Sequence, residues 1–289
     1  MIEEETEESI TAEVLAKAGN TADPRMRQIN EAAIRHLHAF VREVRPTDAE
    51  WERAIGFLTE TGQMCSENRQ EYILLSDIMG VSTLVDFINH HHGDSATEST
   101  VFGPFYVPPP EFENGEDIRG KLDGPPLYVE GRVTSTDGKP VPGATIDIWH
   151  SDHVGFYDVQ QLDKLGELSG RGRIHADDEG RYRFWTARPK AYPIPNDGPA
   201  GKVLDVQGRH PFRPEHVHFM IQAEGLNKLV TQVYAQGDEY LDSDAVFGVK
   251  SSLIREYEPH DGGTAPDGKT MDGKWYSLAF DFALSPEAG

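Results

Sequence analysis

The stretch Arg213-Pro214-Glu215-His216-Val217-His218-Phe219-Met220-Ile221 reads as a β-strand entered from a proline-marked loop. With a side-chain period of two, His216, His218 and Met220 point one way and Val217, Phe219 and Ile221 the other. The second set belongs to a core. The first sets two imidazoles on one face, either as ordinary hydrogen-bonded histidines or as two nitrogen ligands in reach of one ion.

Working outward, residues 127–134, 144–150, 181–186, 215–222, 228–234 and 275–282 all carry strand patterning. Asp137-Gly138 supplies a turn and Pro142-Gly143 a corner, so 127–134 and 144–150 are expected to pair as a hairpin. No helix of comparable length intervenes between most of these strands, which predicts an antiparallel β-sandwich over 101–289. Residues 258–273 read as a polar loop, and 251–257 as a short helix at the end of an acidic-aromatic segment.

Upstream the period changes. Met26, Ile29, Ala33, Ile34, Leu37, Phe40, Val41 and Val44 recur at helical spacing over 24–44, a face expected to be buried. Thr47 with Glu50 forms a capping box opening a helix through Trp51, Ile55 and Leu58, ended by Gly62. A third helix is expected at 67–79, and a fourth after Gly80 containing Leu84, Val85 and Ile88. Residues 1–21 read as an acidic, frayed or lightly docked arm, and His90-His91-His92 as cations favoured at a helix C-terminus. The predicted class is α+β, with an N-terminal helical domain at 1–100 and a β-sandwich domain at 101–289.

Bulk properties narrow the chemistry. The 289 residues are 37% hydrophobic and 26% charged, within the globular range. A formal charge of -22 argues against nucleic acid or an anionic membrane as partner. No apolar run is long enough to span a bilayer, and the acidic start Met1-Ile2-Glu3-Glu4-Glu5 lacks the basic region of a signal peptide, so a cytoplasmic location is expected. The single cysteine, Cys65, excludes a thiolate cluster; a metal would be held by His, Tyr, Asp or Glu.

Two tyrosines sit in loops of unusual composition: Gly155-Phe156-Tyr157-Asp158 and Lys190-Ala191-Tyr192-Pro193. Each could be an ordinary packing residue. Combined with the two histidines, two phenolates present two negative charges on hard oxygen donors, a set suited to a trivalent cation such as Fe(III). Arg213 is either a surface ion-pair partner or a charge donor inside that site.

Gly155-Phe156-Tyr157, Tyr192-Pro193 and Arg213-Pro214-Glu215-His216-Val217-His218 resemble, in order and spacing, the signature of the intradiol ring-cleavage dioxygenases, and the similarity runs over nearly the whole chain. The resemblance implies one non-haem Fe(III) per subunit held by Tyr157, Tyr192, His216 and His218, with Tyr157 and His216 equatorial and Tyr192 and His218 axial. It further implies a small aromatic diol and O2 as substrates, Tyr192 as a proton acceptor, Arg213 as the stabiliser of charge on the ring, and Gln232 as the amide that assists it. A homodimer assembled through the helical domain, able to hold a lipid, also follows from the resemblance.

Tyr157-Asp158-Val159-Gln160 and residues 237–250 look most like the hydroxyquinol-cleaving branch of that family. Its substrate is benzene-1,2,4-triol and its product 3-hydroxy-cis,cis-muconate, the tautomer of maleylacetate. A third hydroxyl needs an acceptor, since leaving it unpaired costs roughly 1–3 kcal/mol. Asp77 is the candidate, with Leu74 one turn away and Val101, Phe102, Gly103 and Val246 as apolar walls; otherwise Asp77 is a solvated helix residue. The alternatives are a catechol-cleaving member of the family, an extradiol dioxygenase using two histidines and a carboxylate, and a non-catalytic transthyretin-like binding module.

Overall fold

The computed structural model describes residues 6–66, 69–93 and 95–287. The acidic start Met1-Ile2-Glu3-Glu4-Glu5 and Glu67, the expected first residue of the third helix, lie outside the described residues. By packing, the chain divides into two compact units, Met1–Glu60 and Thr61–Gly289.

The first unit is helical. Helix α1 (Glu7–Ala18) occupies the segment expected to be an arm, capped by Thr6. It docks on α2 (Pro24–Val44), where Thr11 Oγ1 meets His38 Nδ1 at 2.9 Å and accepts from Arg42 Nη1 at 2.7 Å. Asp23 caps α2 and Pro24 occupies its first turn, where a missing N–H costs nothing. The capping box opens α3 (Asp48–Gln63): Glu50 accepts from Thr47 N at 2.8 Å, and Thr47 Oγ1 accepts from Glu50 N at 3.3 Å. One expectation fails here. The stripe on α2 is amphipathic, yet no residue of the helix is buried: α1 lies against it at His38 and Arg42, while Leu37, Phe40 and Val44 stay exposed.

The second unit takes in the last turn of α3 and the whole of α4 (Glu71–Ile78) and α5 (Val81–His90), so these two helices group with the sheets. Glu71 is fully buried and its Oε1 accepts from Ala200 N at 2.9 Å, at the start of α7 (Pro199–Val206). That charge at a helix N-terminus pins α4. At the other end of α5, His90 pairs with Asp86 at 3.0 Å.

Strands follow as β1 (Pro126–Ser135), β2 (Thr145–His150), β3 (Arg171–His175), β4 (Arg181–Ala187), β5 (Tyr192–Pro193), β6 (Phe212–Arg213), β7 (His216–Gln222), β8 (Leu229–Ala235), β9 (Ile254–Arg255), β10 (Glu258–Thr264), β11 (Thr270–Ala279) and β12 (Phe282–Leu284), with a four-residue helix α6 (Leu162–Leu165) between β2 and β3. One sheet runs β10-β11-β1-β12 with β4 also on β1, and the other β3-β2-β7-β8-β9. Between them Val129, Ile148, Phe184, Val217, Phe219 and Phe282 are fully buried in one cluster. Each such side chain contributes about 1.5–3 kcal/mol.

Three expectations are corrected. The sheets are mixed, because β1 pairs in parallel with β11 and β12, and β8 with β9. β1 and β2 do not pair: after the Asp137-Gly138 turn only Thr134 bridges Pro140, and the chain crosses at Pro142-Gly143 to the opposite sheet. Pro140 and Pro142 have no N–H for a ladder, so the hairpin cannot propagate. Finally, β10 and the start of β11 form a hairpin where a loop was expected. The ladder's own backbone bonds hold these glycine-rich residues, with a shift of register between Asp261 and Gly263.

Candidate metal centre

β7 is the middle strand of its sheet, between β2 and β8. That placement buries both faces: Val217, Phe219 and Ile221 face the core cluster at 0% exposure, while His216 and His218 are buried on the other side. His218 is paired across β2 with Trp149, and the two rings stack at 4.6 Å.

The loop after β2 delivers Tyr157. Asp152 folds it, its Oδ1 accepting from Val154 N and Phe156 N at 2.9 Å each. Gly155 holds φ 93, and a Cβ there would stand 2.9 Å from Ala191 O, so the loop closes against the Tyr192 segment only with glycine. A buried ion pair anchors the next residue: Asp158 accepts from Arg171 Nε at 2.7 Å and from Ser169 N at 3.0 Å. Phe105 stacks on the Tyr157 ring at 4.3 Å. Tyr192 and Arg213 arrive together, as directly opposed residues of the β5-β6 ribbon.

The four expected ligand side chains converge. His216 Nε2 lies 3.1 Å from His218 Nε2, which lies 3.0 Å from Tyr157 Oη, which lies 3.3 Å from Tyr192 Oη. His216 Nδ1 sits 2.6 Å from Pro214 O and must donate to it, so its Nε2 lone pair faces the group. His218 Nδ1 is buried with no partner among the described residues.

Electrostatics keep the imidazoles neutral. Burial, with the nearby Arg213 charge, pushes His216 down to about 3. Burial and the His216 and Arg213 neighbours hold His218 well below its ordinary value. Burial, then Tyr192 beside it, raises the Tyr157 phenol well above its usual range, so only a bound cation would make it a phenolate.

The donor set fits a metal. Donors about 2.0–2.1 Å from one ion, at tetrahedral to octahedral angles, stand roughly 2.9–3.4 Å apart, the range that these atoms occupy. Two neutral imidazoles and two phenols with no compensating charge among their oxygens are a set that a hard cation satisfies at once. Among the described residues no group of three His, Cys, Asp or Glu side chains gathers as a metal set, so the two-histidine, one-carboxylate arrangement of an extradiol enzyme is not formed.

Arg213 is 2% exposed, which removes the surface ion-pair reading. Its Nε and Nη2 reach Asp244 Oδ1 and Oδ2 at 2.9 and 3.1 Å, and Nη2 also donates to Gln232 Oε1 at 2.8 Å and Tyr234 Oη at 3.1 Å. Gln232 in turn donates to Val101 O at 2.6 Å. Leu74, Val101 and Val246 lie in one buried cluster with Tyr157 and Tyr192. Gly103 lies against the His218 ring, and Phe102 is a half-exposed ring beside Tyr106 and Trp149. Asp77 is 6% exposed, not solvated; burial raises its carboxyl above the ordinary value against the opposing Ser82 hydrogen bond and Arg213 charge.

Sequence reasoning missed Asp244, Tyr234, Trp149, Phe105 and the Asp158–Arg171 pair. Asp244 is one of several acids in 238–244, and nothing in that run marks which of them turns inward.

The family model described as Dioxygenase matches residues 101–286, and that described as Catechol dioxygenase N terminus matches residues 23–97. With the site above, the class is defined: the chain belongs to the intradiol ring-cleavage dioxygenases. Within that class, the hydroxyquinol 1,2-dioxygenase of Nocardioides simplex is 49% identical over 283 residues, 97% of this chain and 96% of its own. The solved hydroxyquinol 1,2-dioxygenase of Pseudomonas putida DLL-E4 matches with a TM-score of 0.91 at 44% identity, covering 97% of this chain and 99% of that one. The catechol 1,2-dioxygenase of Candida albicans is 38% identical, covering 97% of this chain and 93% of its own.

Proposed function

We propose that this enzyme cleaves hydroxyquinol between its 1,2-hydroxyls with O2, both oxygen atoms entering the product 3-hydroxy-cis,cis-muconate. The observation that carries the reading is the convergence of His216, His218, Tyr157 and Tyr192 donors at 3.0–3.3 Å beside a buried arginine. These four side chains would hold one Fe(III). A ferric ion bound there would supply Lewis acidity toward an aromatic diol.

The chain's own residues do the rest. Tyr192 is the end member of the donor chain, touching Tyr157 at 3.3 Å, and as a phenolate on a bound ferric ion its Oη would be the acceptor for a diol proton. Arg213, immobilised by Asp244 and Gln232, offers fixed positive charge to the negative charge that develops on the ring. Leu74, Val101 and Val246 exclude water. Asp77 receives the third hydroxyl. A carboxyl raised by burial can accept or donate there, and its deletion would leave that hydroxyl unpaired.

The enzyme is a homodimer through its helical unit, on the support of the uncovered apolar faces of α2 and α3, which also suit a lipid chain. Among the described residues no helix is long and apolar enough to cross a membrane.

Oxygen uptake with benzenetriol and catechol side by side tests the substrate. The triol is expected to be cleaved with a kcat/KM at least about tenfold higher, the worth of one unpaired hydroxyl. Equal values reassign the chain to catechol. Absence of bound iron removes the reaction altogether.

A further inference from the structure

Residues 244–248 form a turn with an unusual concentration of anchors. Asp244, 5% exposed, uses both carboxylate oxygens twice. Oδ1 accepts from Arg213 Nε at 2.9 Å and Val246 N at 3.3 Å; Oδ2 accepts from Arg213 Nη2 at 3.1 Å and Gly248 N at 2.9 Å. Two of these four donors belong to the guanidinium and two to the turn, which exhausts the acceptor capacity of one carboxylate.

The turn is held from outside as well. Arg209 Nη2 donates to Ala245 O at 2.7 Å, Thr83 Oγ1 to Val246 O at 2.8 Å and Thr100 Oγ1 to Gly248 O at 2.8 Å. Between them Phe247 is forced to φ 58, a left-handed conformation that a residue with a bulky side chain rarely adopts. Gly248 packs bare backbone onto the charged group, since a Cβ there would stand 2.7 Å from Arg213 Nη2 and 3.0 Å from Tyr234 Oη. Val246 is 3% exposed in the cluster that contains Leu74 and Tyr157.

We propose that Asp244 is a positioning residue that sets the Arg213 guanidinium and the Val246 wall together, so that turnover and the preference for triol over diol are coupled through one carboxylate. The inference rests on the roles given to Arg213 and Val246 above. Its physical basis is that the bidentate carboxylate leaves the guanidinium one orientation, while the same two oxygens dictate where Val246 enters the pocket. Arg213 cannot shift without releasing the turn, and the turn cannot shift without releasing Arg213.

An amide keeps the shape of Asp244 but offers one acceptor oxygen and turns an NH2 group against N–H donors. Asp244→Asn is therefore expected to lower kcat about 10- to 100-fold and to change the triol-to-catechol kcat/KM ratio at least about threefold, with iron content retained. Gly248→Ala perturbs the same linkage from the opposite side, leaving the carboxylate in place, and is expected to move both quantities in the same direction.

The measurement is steady-state oxygen uptake on both substrates, with iron content and thermal unfolding of each variant alongside. Loss of turnover together with a changed ratio in either variant supports the coupling. Folded, iron-replete variants that keep the parent's turnover and ratio overturn it, as does a fall in turnover with the ratio unchanged in both. Where Asp244→Asn does not fold, Gly248→Ala decides. A parent that cleaves neither substrate overturns the functional reading instead, which separates the two failures.

Discussion

Phe40 on α2 is 59% exposed and Phe219 on β7 is 0% exposed, although each belongs to an unambiguous apolar pattern. The helical unit carries Leu37, Phe40, Val41 and Trp51 on open faces, whereas the sandwich closes Val129, Ile148, Val217 and Phe219 between two sheets. Periodicity thus tells which side of an element is apolar, but not whether anything lies against it. In the sandwich each sheet covers the other, whereas on α2 Leu37, Phe40, Val41 and Val44 stay exposed among the described residues.

The contrast breaks most sharply at the site that the closed unit carries. His216→Ala removes one of four donors, and the purified protein is expected to lose its iron and at least about 10³-fold of its turnover. Phe40→Ala should leave both unchanged. Metal analysis and oxygen uptake on the two variants settle it, and an iron-replete His216→Ala protein would remove the proposed centre.

The same pair of regions differs in stability. Phe219→Ala opens a cavity in the sealed core and should cost about 3–5 kcal/mol, while Phe40→Ala should cost less than about 1 kcal/mol in the separated chain. Urea unfolding at low protein concentration makes the comparison. Equal losses would mean that the α2 stripe is covered after all.

Acid should also act on the sandwich first. His150 is fully buried, bonded to Thr186 Oγ1 and Ser151 O at 2.7 Å each, and burial pushes it down to about 4. Unfolded, it takes a proton below about pH 6.5. Its contribution is therefore complete above that pH, declines as pH falls, and is exhausted near pH 4, about 3 kcal/mol in all. Unfolding free energies at pH 7, 5.5 and 4 should fall less steeply for His150→Gln than for the parent; parallel slopes would exclude this histidine as the source.

The smallest effect tests the open face itself. Phe40→Asp places a charge in the α2 stripe and should shift sedimentation from dimer toward monomer, with turnover per chain reduced less than about twofold. A parent that sediments as a monomer would overturn the proposed dimer.

Much of the site was legible because it depends on local geometry. A two-residue period puts His216 and His218 on one face whatever surrounds them, whereas Tyr157, Tyr192 and Arg213 joined them only through the family resemblance. The capping box at Thr47 is equally local. What stayed hidden depends on closure between distant segments: Asp244 is one acid among several until the turn folds back 31 residues onto Arg213.

By itself, then, the amino-acid order determined which residues alternate, which types of donor exist and that helices precede strands, since these follow from backbone periods and side-chain chemistry. Only the tertiary structure decided that β1 and β2 belong to opposite sheets, that Asp244 and not its acidic neighbours faces inward, and that Phe40 and Trp51 lie exposed on their helices. Those outcomes turn on which surfaces meet once the chain has closed on itself, and no short-range pattern encodes that.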